Sequence, residues 1–448
     1  MLKAVEDYKH RWIRLHGMRG RMLVGFAGLM ALASTGCHGS RWGLLGKAYG
    51  SKPIRAIWVT RWDYKSASDI ARVMDNCRSA GFNTVLFQVR GAGTVAYRSK
   101  IEPWAEEFGG HDPGFDPLAV ACKEANRRGL SLHAWVNVMP GYRGKEPPRD
   151  PRQLYNARPD WFLRDAYGHR QPLGWYDSLN PCYPEVRRYL TTLMYEIVSR
   201  YPVDGLHLDY ARFPTEYVDS YGSRPVPDYP RDPRTLALFR KAAGKTPEQA
   251  PAVWDSWRTD CMTQVVRDIR RMMLKEKPKA ALTAAVGPMP DDHRRKYFQD
   301  AQRWTRDGLV DAVYPMNYES DLRVYTNRLA AWASMKPGVP VVTGIMFDKR
   351  NAGTVLAQVH EATRRGTHFA AFAYNSLFER LDRSGRPIMD SQSASRAALR
   401  NQLIPRLRRL ATGVHRRYDR AAFDRRSDGE VHAQAMNCTS CISGGIPL

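Results

Sequence analysis

A stretch near the middle of the chain, Val203–Pro214, carries the residue that best fits acid–base chemistry. Its sequence, VDGLHLDYARFP, alternates apolar and polar residues, which predicts a strand with His207 and Asp209 on one face. The loop-like ARFP that follows places Asp209 at the C-terminal end of this strand. Asp204 falls at the opposite end of the strand, too far away for the two carboxylates to act as a pair. Asp209 is therefore the first candidate for a reactive carboxylate.

Predicted strands and helices alternate along the chain around that stretch. Besides the strand that carries Asp209, buried runs predict strands at Ile54–Thr60, Asn83–Val89, Leu130–Val138, Ala280–Val286, Asp311–Met316, Val339–Ile345 and His368–Tyr374. Helical spacing predicts helices at Ser66–Ala80, Phe115–Arg128, Glu185–Arg200, Val253–Lys275, Arg294–Asp307, Leu322–Met335 and Val355–Arg365. Long loops are predicted at Met139–Pro184 and Thr215–Pro251.

This pattern favours an α/β fold of the (β/α)8 TIM-barrel class with long βα loops. No glycine fingerprint for phosphate follows the first strand, which argues against an open, doubly wound sheet. Asp209 then falls at the C-terminal mouth of the barrel, where such folds carry their chemistry. The chain has 448 residues, of which 43% are hydrophobic, and this fits one barrel with flanking segments as well as two domains. We favour one large domain, assigned to residues 52–385.

The net charge of +24 favours an anionic partner, but charge alone does not choose among nucleic acid, a phospholipid surface and an acidic glycan. Part of the excess lies in residues 395–448, which we interpret as a basic, partly disordered extension. A solvated basic helix is the alternative for that segment. A specific nucleic-acid partner conflicts with the N-terminal sequence described next.

Residues 1–37 have the pattern of an export signal. Arg19 and Arg21 precede the apolar run Met22–Ala33, which is too short to cross a bilayer comfortably. The segment Ser34-Thr35-Gly36-Cys37 resembles a bacterial lipobox, so Cys37 is the expected lipidation site, and cleavage by an ordinary signal peptidase is the alternative. We therefore expect a cell-envelope protein, periplasmic or at the outer surface, attached to the membrane through a lipid. A further hypothesis is that residues 1–17 are not normally translated.

Six segments of the chain resemble the glycosyl hydrolase-like family 10, whose members are bacterial envelope proteins with a TIM-barrel glycosidase domain. The segments are IRAIWVTRW, FNTVLFQVR, LHAWVNV, RPDWFLRD, WYDSLNPCYPEVRRYL and VDGLHLDYARFP. The resemblance covers about residues 52–385. It implies glycoside hydrolysis, with peptidoglycan glycan strands stripped of their peptides as the substrate class, and it places Asp209 in the catalytic centre.

Glycoside hydrolysis usually needs two carboxyl groups. Glu319, just past the sixth strand, is the first choice as partner of Asp209, followed by Glu102 and Glu216. Sugars stack on aromatic rings, and their hydroxyls bind planar polar groups. The predicted substrate-binding residues are Arg61, Trp62, Gln88, Arg90, Asn137, His207, Tyr210, Arg212, Tyr314, Asn317, Tyr318, Tyr374 and Asn375, with Trp135 and Trp175 as further stacking candidates. Arg61, Arg90 and Arg212 end three strands, which favours an anionic ligand such as a cell-wall glycan.

Four of these assignments have a purely structural alternative. Asp209 can be a carboxylate that is salt-bridged to Arg212, and Glu319 an ordinary exposed loop acid. Trp135 can belong to the packing of the barrel, and His207 can be a buried histidine whose hydrogen bonds are satisfied. The corresponding alternative function is a catalytically inactive, glycan-binding envelope lipoprotein.

The sequence implies no metal and no cofactor, since it contains neither HxH nor HExxH. Cys182 and Cys261 lie in or near long loops and are candidates for a disulfide. The isolated pair Cys438 and Cys441 favours an exposed disulfide or a disordered end over a zinc site.

Overall fold

A computed structural model describes residues 53–214, 228–347, 351–366, 368–380, 382 and 386–411. The strands in these ranges are β1 (Arg55–Val59), β2 (Thr84–Arg90), β3 (Ser131–Asn137), β4 (Pro140–Arg143), β5 (Tyr176–Ser178), β6 (Gly205–Asp209), β7 (Ala281–Val286), β8 (Ala312–Pro315), β9 (Val342–Met346) and β10 (His368–Phe372). The α-helices are α1 (Ala67–Ser79), α2 (Pro117–Arg127), α3 (Leu154–Ala157), α4 (Pro184–Arg200), α5 (Pro233–Ala243), α6 (Pro251–Glu276), α7 (Pro290–Tyr297), α8 (Ala301–Arg306), α9 (Leu322–Ser334), α10 (Ala352–Arg364) and α11 (Ser393–Ala411).

Eight parallel strands form a nearly closed barrel, in the order β8-β7-β6-β3-β2-β1-β10-β9. The edge strands β8 and β9 approach each other through one parallel bridge between Val313 and Val341, and the Val313 N–H donates to the carbonyl of Pro340 at 3.1 Å. The predicted (β/α)8 architecture is confirmed. It follows from strands that are buried on both faces, such as β1, whose five residues are all buried.

Side-chain hydrogen bonds define where several of the helices begin. Ser66 caps α1 and forms a reciprocal capping box with Asp69. Asp116, Asp321 and Asn351 each accept a backbone N–H at the start of α2, α9 and α10. These caps fix the points at which the chain leaves each βα loop, and therefore shape the mouth of the barrel.

The buried residues form two clusters. The larger lies between the barrel and its helices. The smaller fills the barrel interior and includes Trp58, Leu86, Trp135 and Tyr314. Because the interior is filled by side chains, a ligand can enter only from an end of the barrel.

The structure differs from the sequence prediction in four segments. The Met139–Pro184 loop contains the antiparallel hairpin of β4 and β5 together with α3. The second long loop contains α5. The single helix expected at Arg294–Asp307 is two helices, α7 and α8, separated near Phe298, whose φ is 53°. Helix α11 occupies the start of the segment expected to be a basic extension.

Helix α11 packs against the barrel rather than extending into solvent. Leu399, Leu403 and Leu407 are buried on its inner side. The backbone of Leu407 approaches Gly81, whose φ of +94° and lack of a Cβ permit the contact, because a Cβ there would lie 3.0 Å from the Leu407 carbonyl. Glu379 pairs with Arg400 at 2.8 Å and holds the helix in place.

Four cysteines, Cys77, Cys122, Cys182 and Cys261, are buried and carry free thiols. The candidate bridge between Cys182 and Cys261 is therefore not formed in this structure. None of the helices among the described residues is long and apolar enough to cross a membrane. Cys37, the export signal, Glu216, Cys438 and Cys441 lie outside the described residues.

Candidate active site

A cavity of about 390 Å³ opens at the C-terminal ends of the barrel strands, under the β4–β5 hairpin. Its walls combine aromatic rings with polar groups from β1, β2, β3 and β6. The lining residues are Trp58, Thr60, Arg61, Trp62, Gln88, Trp135, Asn137, Arg143, Trp175, Tyr176, Asp209, Tyr210, Arg212, Ala285, Met316, Tyr318 and Phe372. Concave sites rich in aromatic rings, with a few convergent polar groups, are typical of small-molecule and sugar recognition.

Asp209 is the carboxylate of this cavity and ends β6, with 6% of its surface exposed. Its Oδ1 accepts the N–H of Tyr210 at 2.7 Å and lies 3.3 Å from Nη1 of Arg212. The guanidinium of Arg212 lies in turn 4.1 Å from the centre of the Tyr210 ring. Asp209 therefore both forms the ion pair expected for a structural carboxylate and faces the cavity.

Tyr318 is a neutral hydrogen-bond donor in the wall of the cavity. Burial raises the pKa of its hydroxyl well above the ordinary value, and the negative charge of Asp209 adds to this rise. The hydroxyl consequently stays protonated at neutral pH. An O–H group of this kind can donate to a sugar oxygen.

The side-chain amides of β2 and β3 form a chain of polar contacts beside Asp209. Asn137 and Asp209 are register partners on β3 and β6. The amide nitrogen of Gln88 donates to Oδ1 of Asn137 at 3.4 Å, and its oxygen accepts the backbone N–H of Arg61 at 3.2 Å. Asn137 donates to the hydroxyl of Tyr176 at 3.4 Å. The strand ends are thus held to one another by the groups that face the cavity.

The rim of the cavity carries aromatic rings paired with arginines. Trp62 is 39% exposed, and the guanidinium of Arg61 lies 4.0 Å from its ring. Trp175 and Tyr176 come from the β4–β5 hairpin region, and Arg143 lies above their rings at 4.8 Å and 5.6 Å. An exposed ring beside fixed cations suits a sugar that bears negative charge.

A second cavity of about 280 Å³ adjoins the first and shares Arg61, Trp62 and Arg143 with it. Its remaining lining residues are Ala92, Thr94, Glu106, Glu107, Tyr142, Gly144, Lys145, Gln153 and Gly174. Nε of Arg61 pairs with Glu107 at 2.6 Å. Burial lowers the pKa of Arg61, but Tyr176 and Glu107 outweigh that effect and raise it, so this guanidinium is a permanent charge between the cavities.

Comparison with known proteins identifies the family of the chain and relatives that are named glycosyl hydrolases. A family model described as Glycosyl hydrolase-like 10 matches residues 53–363. The chain belongs to this family. Glycosyl hydrolase DigH of Escherichia coli K12 is 30% identical over 314 residues, covering 60% of this chain and 66% of DigH. Glycosyl hydrolase YngK of Bacillus subtilis is 26% identical over 311 residues, covering 62% and 56%. The chain thus matches 66% or less of the length of these relatives.

Solved structures support the fold of this family member. The glycoside hydrolase domain of PgaB (BpsB) from Bordetella bronchiseptica superposes with a TM-score of 0.55 at 15% identity, covering 78% of this chain and 99% of that domain. The catalytic domain of β-amylase from Paenibacillus polymyxa gives a TM-score of 0.55 at 11% identity, covering 79% and 98%. At such low identities these likenesses show the barrel architecture alone.

The structure brings about half of the predicted site residues together. Those that line the first cavity are Arg61, Trp62, Gln88, Asn137, Asp209, Tyr210, Arg212 and Tyr318, joined by the stacking candidates Trp135 and Trp175. Those that line neither cavity are Arg90, His207, Tyr314, Asn317, Glu319, Tyr374 and Asn375. The residues of the second group lie outside the cavities for different physical reasons.

Arg90 lines neither cavity, and its side chain is bound by other residues of the protein. The pairing of β2 with β3 shifts register between Gln88 and Arg90, so the two side chains do not share a face as simple alternation predicts. Arg90 is fully buried against Glu102, with Nη2 and Oε1 at 2.8 Å. Its Nη1 donates to the carbonyl of Pro140 at 3.0 Å. The same ion pair makes Glu102 structural.

His207 and Tyr314 lie in the packed interior of the barrel. The indole N–H of Trp58 donates to Nε2 of His207 at 3.1 Å, and Nδ1 of His207 lies 2.9 Å from the hydroxyl of Thr283, which donates to the Leu206 carbonyl at 3.2 Å. This sequence of bonds requires the proton on Nδ1 of a neutral ring. Burial holds the pKa of His207 well below its ordinary value, and His133 adds to the shift. His207 is therefore the satisfied interior histidine of the alternative assignment.

Glu319 is held by its neighbours at the start of α9. Its Oε1 accepts the backbone N–H groups of Ser320 at 2.7 Å and Asp321 at 3.2 Å, and its Oε2 lies 3.3 Å from Arg328. The two N–H groups lower the pKa of Glu319, and Arg328 contributes to the same effect. This carboxylate supports the start of α9 and lines neither cavity, so the structure does not bring it together with Asp209.

The three remaining residues also lie away from the cavities. Asn317 is buried and donates to the Tyr325 carbonyl at 3.0 Å, which ties the β8 end to α9. The hydroxyl of Tyr374 accepts a hydrogen bond from Asn76 at 2.7 Å. Asn375 is exposed outside the cavity lining.

Several lining residues were not predicted from the sequence, among them Trp58, Thr60, Arg143, Tyr176 and Phe372. The signal for Arg143 and Tyr176 was the density of arginine and aromatic residues within Met139–Pro184. Trp58 lies two residues before the end of the predicted strand Ile54–Thr60. Simple alternation places a residue at this position in the interior of the barrel. Among the described residues, no group of three or more His, Cys, Asp and Glu side chains could hold a metal ion.

Proposed function

We propose that this chain is a glycoside hydrolase that cleaves the glycan strands of peptidoglycan, with Asp209 as one of its reacting carboxyl groups. The observation that carries the proposal is a carboxylate at the end of the fourth barrel strand, facing an aromatic-lined cavity in a member of a glycosyl hydrolase-like family. The substrate class is the one implied by the family resemblance. The guanidiniums of Arg61, Arg143 and Arg212 around the cavity suit the carboxylates of such a glycan.

The cavity supplies most of what glycoside cleavage requires. The exposed ring of Trp62 offers a stacking surface for a sugar, and the amides of Gln88 and Asn137 offer donors and acceptors for its hydroxyls. Asp209 supplies one of the two carboxyl roles, either protonating the leaving oxygen or acting on the opposite face of the ring. Tyr318, whose hydroxyl stays protonated, can donate to a sugar oxygen in the same cavity.

The second carboxyl role falls to Glu107 in our proposal. Glu107 lines the adjoining cavity, and its ion pair with Arg61 joins it to the wall of the first. Movement of the Arg61 guanidinium onto an anionic substrate would release Glu107 toward the scissile bond. This assignment replaces Glu319, whose contacts hold it at α9.

The experiment compares three neutral substitutions on amidase-treated glycan strands, with soluble saccharides as the readout. Asp209→Asn keeps an oxygen that can accept the Tyr210 N–H, and we expect it to reduce the rate about 10²–10⁴-fold while leaving the fold intact. Glu107→Gln is expected to lose activity as well. Glu319→Gln is the matched control and should behave as wild type. If Asp209→Asn and wild type release the same products at the same rate, the proposal is wrong.

The alternative is a catalytically silent glycan-binding protein. It is favoured by one observation: within the described residues that line the first cavity, Asp209 is the only carboxylate, whereas glycosidases usually require two. Retention of the protein on sacculi without any saccharide release, by wild type and Asp209→Asn alike, would select this function.

The export signal and Cys37 lead us to propose a lipid-anchored envelope location, where peptidoglycan is accessible. The support is the basic, apolar and small-residue order of residues 18–37. Incorporation of labelled palmitate into the wild-type chain, and its loss in Cys37→Ala, is the expected result. Soluble release of an unlabelled wild-type chain would instead indicate cleavage by an ordinary signal peptidase.

A further inference from the structure

Arg143 is held in place at the boundary between the two cavities. It ends β4, and its guanidinium lies 4.8 Å from the ring centre of Trp175, 5.6 Å from that of Tyr176 and 5.7 Å from that of Trp62. Three rings around one side chain restrict its rotamers, so little conformational entropy is left to lose when a ligand binds.

Arg143 differs from the other two arginines of the first cavity in its partners. Arg61 pairs with Glu107 at 2.6 Å, and Arg212 lies 3.3 Å from Asp209. By contrast, within the described part of the chain, no hydrogen bond or ion pair is formed by the Arg143 guanidinium. A fixed guanidinium of this kind presents two parallel N–H donors, the geometry that matches a carboxylate.

The second cavity is a preformed space beside that cation. Gln153 joins its walls, because its amide nitrogen donates to the carbonyls of Ala92 at 3.1 Å and Gly141 at 2.8 Å. The oxygen of Gln153 accepts the N–H of Tyr155 at 2.6 Å, which fixes the amide from the other side. Lys145 adds a further positive charge to the lining. Glu106 and Glu107 also line this cavity, and Glu107 is paired with Arg61. Three cations against two carboxylates leave the lining net positive next to the exposed ring of Trp62.

We propose that the second cavity is a subsite for a sugar residue that carries a carboxylate, and that Arg143 binds this carboxylate. The sugar ring stacks on Trp62, and the next sugar of the strand enters the first cavity toward Asp209. This inference rests on the proposed function, which it makes more specific: the acidic sugar lies on the β4 side of the cleaved bond. Arg143 is then a specificity residue and takes no part in the bond breaking.

The test measures whether Arg143 binds the carboxylate of the sugar. Glycan strands with free carboxylates are compared with the same strands after carbodiimide coupling to methylamine, which converts each carboxylate into a neutral amide. Binding to the Asp209→Asn chain is measured by calorimetry, so that no cleavage interferes. We expect the free-carboxylate strands to bind about tenfold more tightly, equivalent to roughly 1.4 kcal/mol. The preference should shrink as salt is raised, since the pair is partly exposed.

Arg143→Met, which keeps an unbranched apolar side chain against the rings, should abolish this preference and leave binding of the amidated strands unchanged. Arg143→Lys should retain only part of it, because an ammonium is a point charge without the fork geometry. Arg158→Met is the matched control. Arg158 also lies above a tryptophan, 4.4 Å from the ring of Trp161, in the same segment but outside both cavities. It should keep the full preference.

The outcomes separate this inference from the proposed function. If the carboxylate preference persists in Arg143→Met, the inference is overturned, whether or not the protein cleaves glycan. If the preference depends on Arg143 but wild type releases no saccharides, the subsite stands and the hydrolase proposal fails. An Asp209→Asn chain with Arg143 intact that does not distinguish the two strand preparations would also overturn the inference.

Discussion

The role of Arg90 can be decided by a single substitution, because the sequence and the structure assign it differently. The strand-end pattern predicts a substrate contact, whereas the structure buries Arg90 completely in an ion pair with Glu102. Both the Nε–Oε2 distance of 2.9 Å and the Nη2–Oε1 distance of 2.8 Å belong to a two-pronged pair. The Tyr189 hydroxyl donates to Oε1 of Glu102 at 2.7 Å. The network joins β2, the loop after it and α4.

Arg90→Met should therefore destabilise the fold. It leaves Glu102 as an unpaired buried charge, a change that typically costs about 3–5 kcal/mol. It also removes the donor that Arg90 provides to the carbonyls of Asn137, Val138 and Pro140, where β3 turns toward β4. At about 2 °C per kcal/mol for a large domain, the melting temperature should fall by roughly 6–10 °C.

The assay is denaturant unfolding of wild type, Arg90→Met, Glu102→Gln and the double variant. Because the partners are in contact, the double variant should lose clearly less than the sum of the two single losses. Binding of glycan by the folded fraction should stay at the wild-type level. A variant with an unchanged unfolding midpoint but weakened glycan binding would refute the structural role and restore Arg90 as a substrate contact.

Two further predictions concern stability. Asp177 is fully buried, and among the described residues neither of its carboxylate oxygens has a hydrogen-bond partner. Burial raises its pKa to about 8, although Arg170, 3.8 Å away, and Arg164 lower it. A carboxyl group whose pKa is raised by folding contributes stability that is present at low pH and is lost as the pH rises through about 8. The urea midpoint of the wild type should therefore fall between pH 5 and pH 9, and this fall should be smaller in Asp177→Asn. An equally steep fall in both proteins would contradict the prediction. A chain ending before Ser393 exposes the site of Leu403 and Leu407, and it should be several kcal/mol less stable than a chain ending at Ala411, at about 1.5–3 kcal/mol per buried leucine. Equal unfolding midpoints of these two chains would show that α11 does not support the barrel.

The fold was predictable because barrel strands carry a strong local signal. Each is a short apolar run between turn residues, and the predicted bounds of the strand at Leu130–Val138 differ by one residue at each end from β3. Asp209 and Asn137 were predictable for the same reason, since both end a parallel strand. Arg90 was not, because the register shift after Gln88 depends on how β2 pairs with β3, which no local pattern contains.

His207 shows a second limit of strand-end reasoning. It shares a face with Asp209, and alternation alone cannot tell which layer of the barrel a side chain fills. Trp58 and Thr283 close the layer at His207 with hydrogen bonds, and the cavity begins one layer higher, at Asp209. A difference of two residues along one strand thus separates a packing residue from a residue of the site.

Some site residues come from barrel strands and others from the β4–β5 hairpin. This difference explains which of them could not be predicted from the sequence. Asp209 belongs to the barrel, where its position follows from strand order. Arg143 and Tyr176 come from a hairpin whose two strands are separated by residues 144–175, so their meeting above Trp62 depends on contacts distant in the chain. If the hairpin sets which sugar is bound while the barrel strand supplies the carboxylate, the two can change independently. Substitution of Arg143 should then alter the choice of glycan, whereas substitution of Asp209 should remove cleavage from every glycan that still binds.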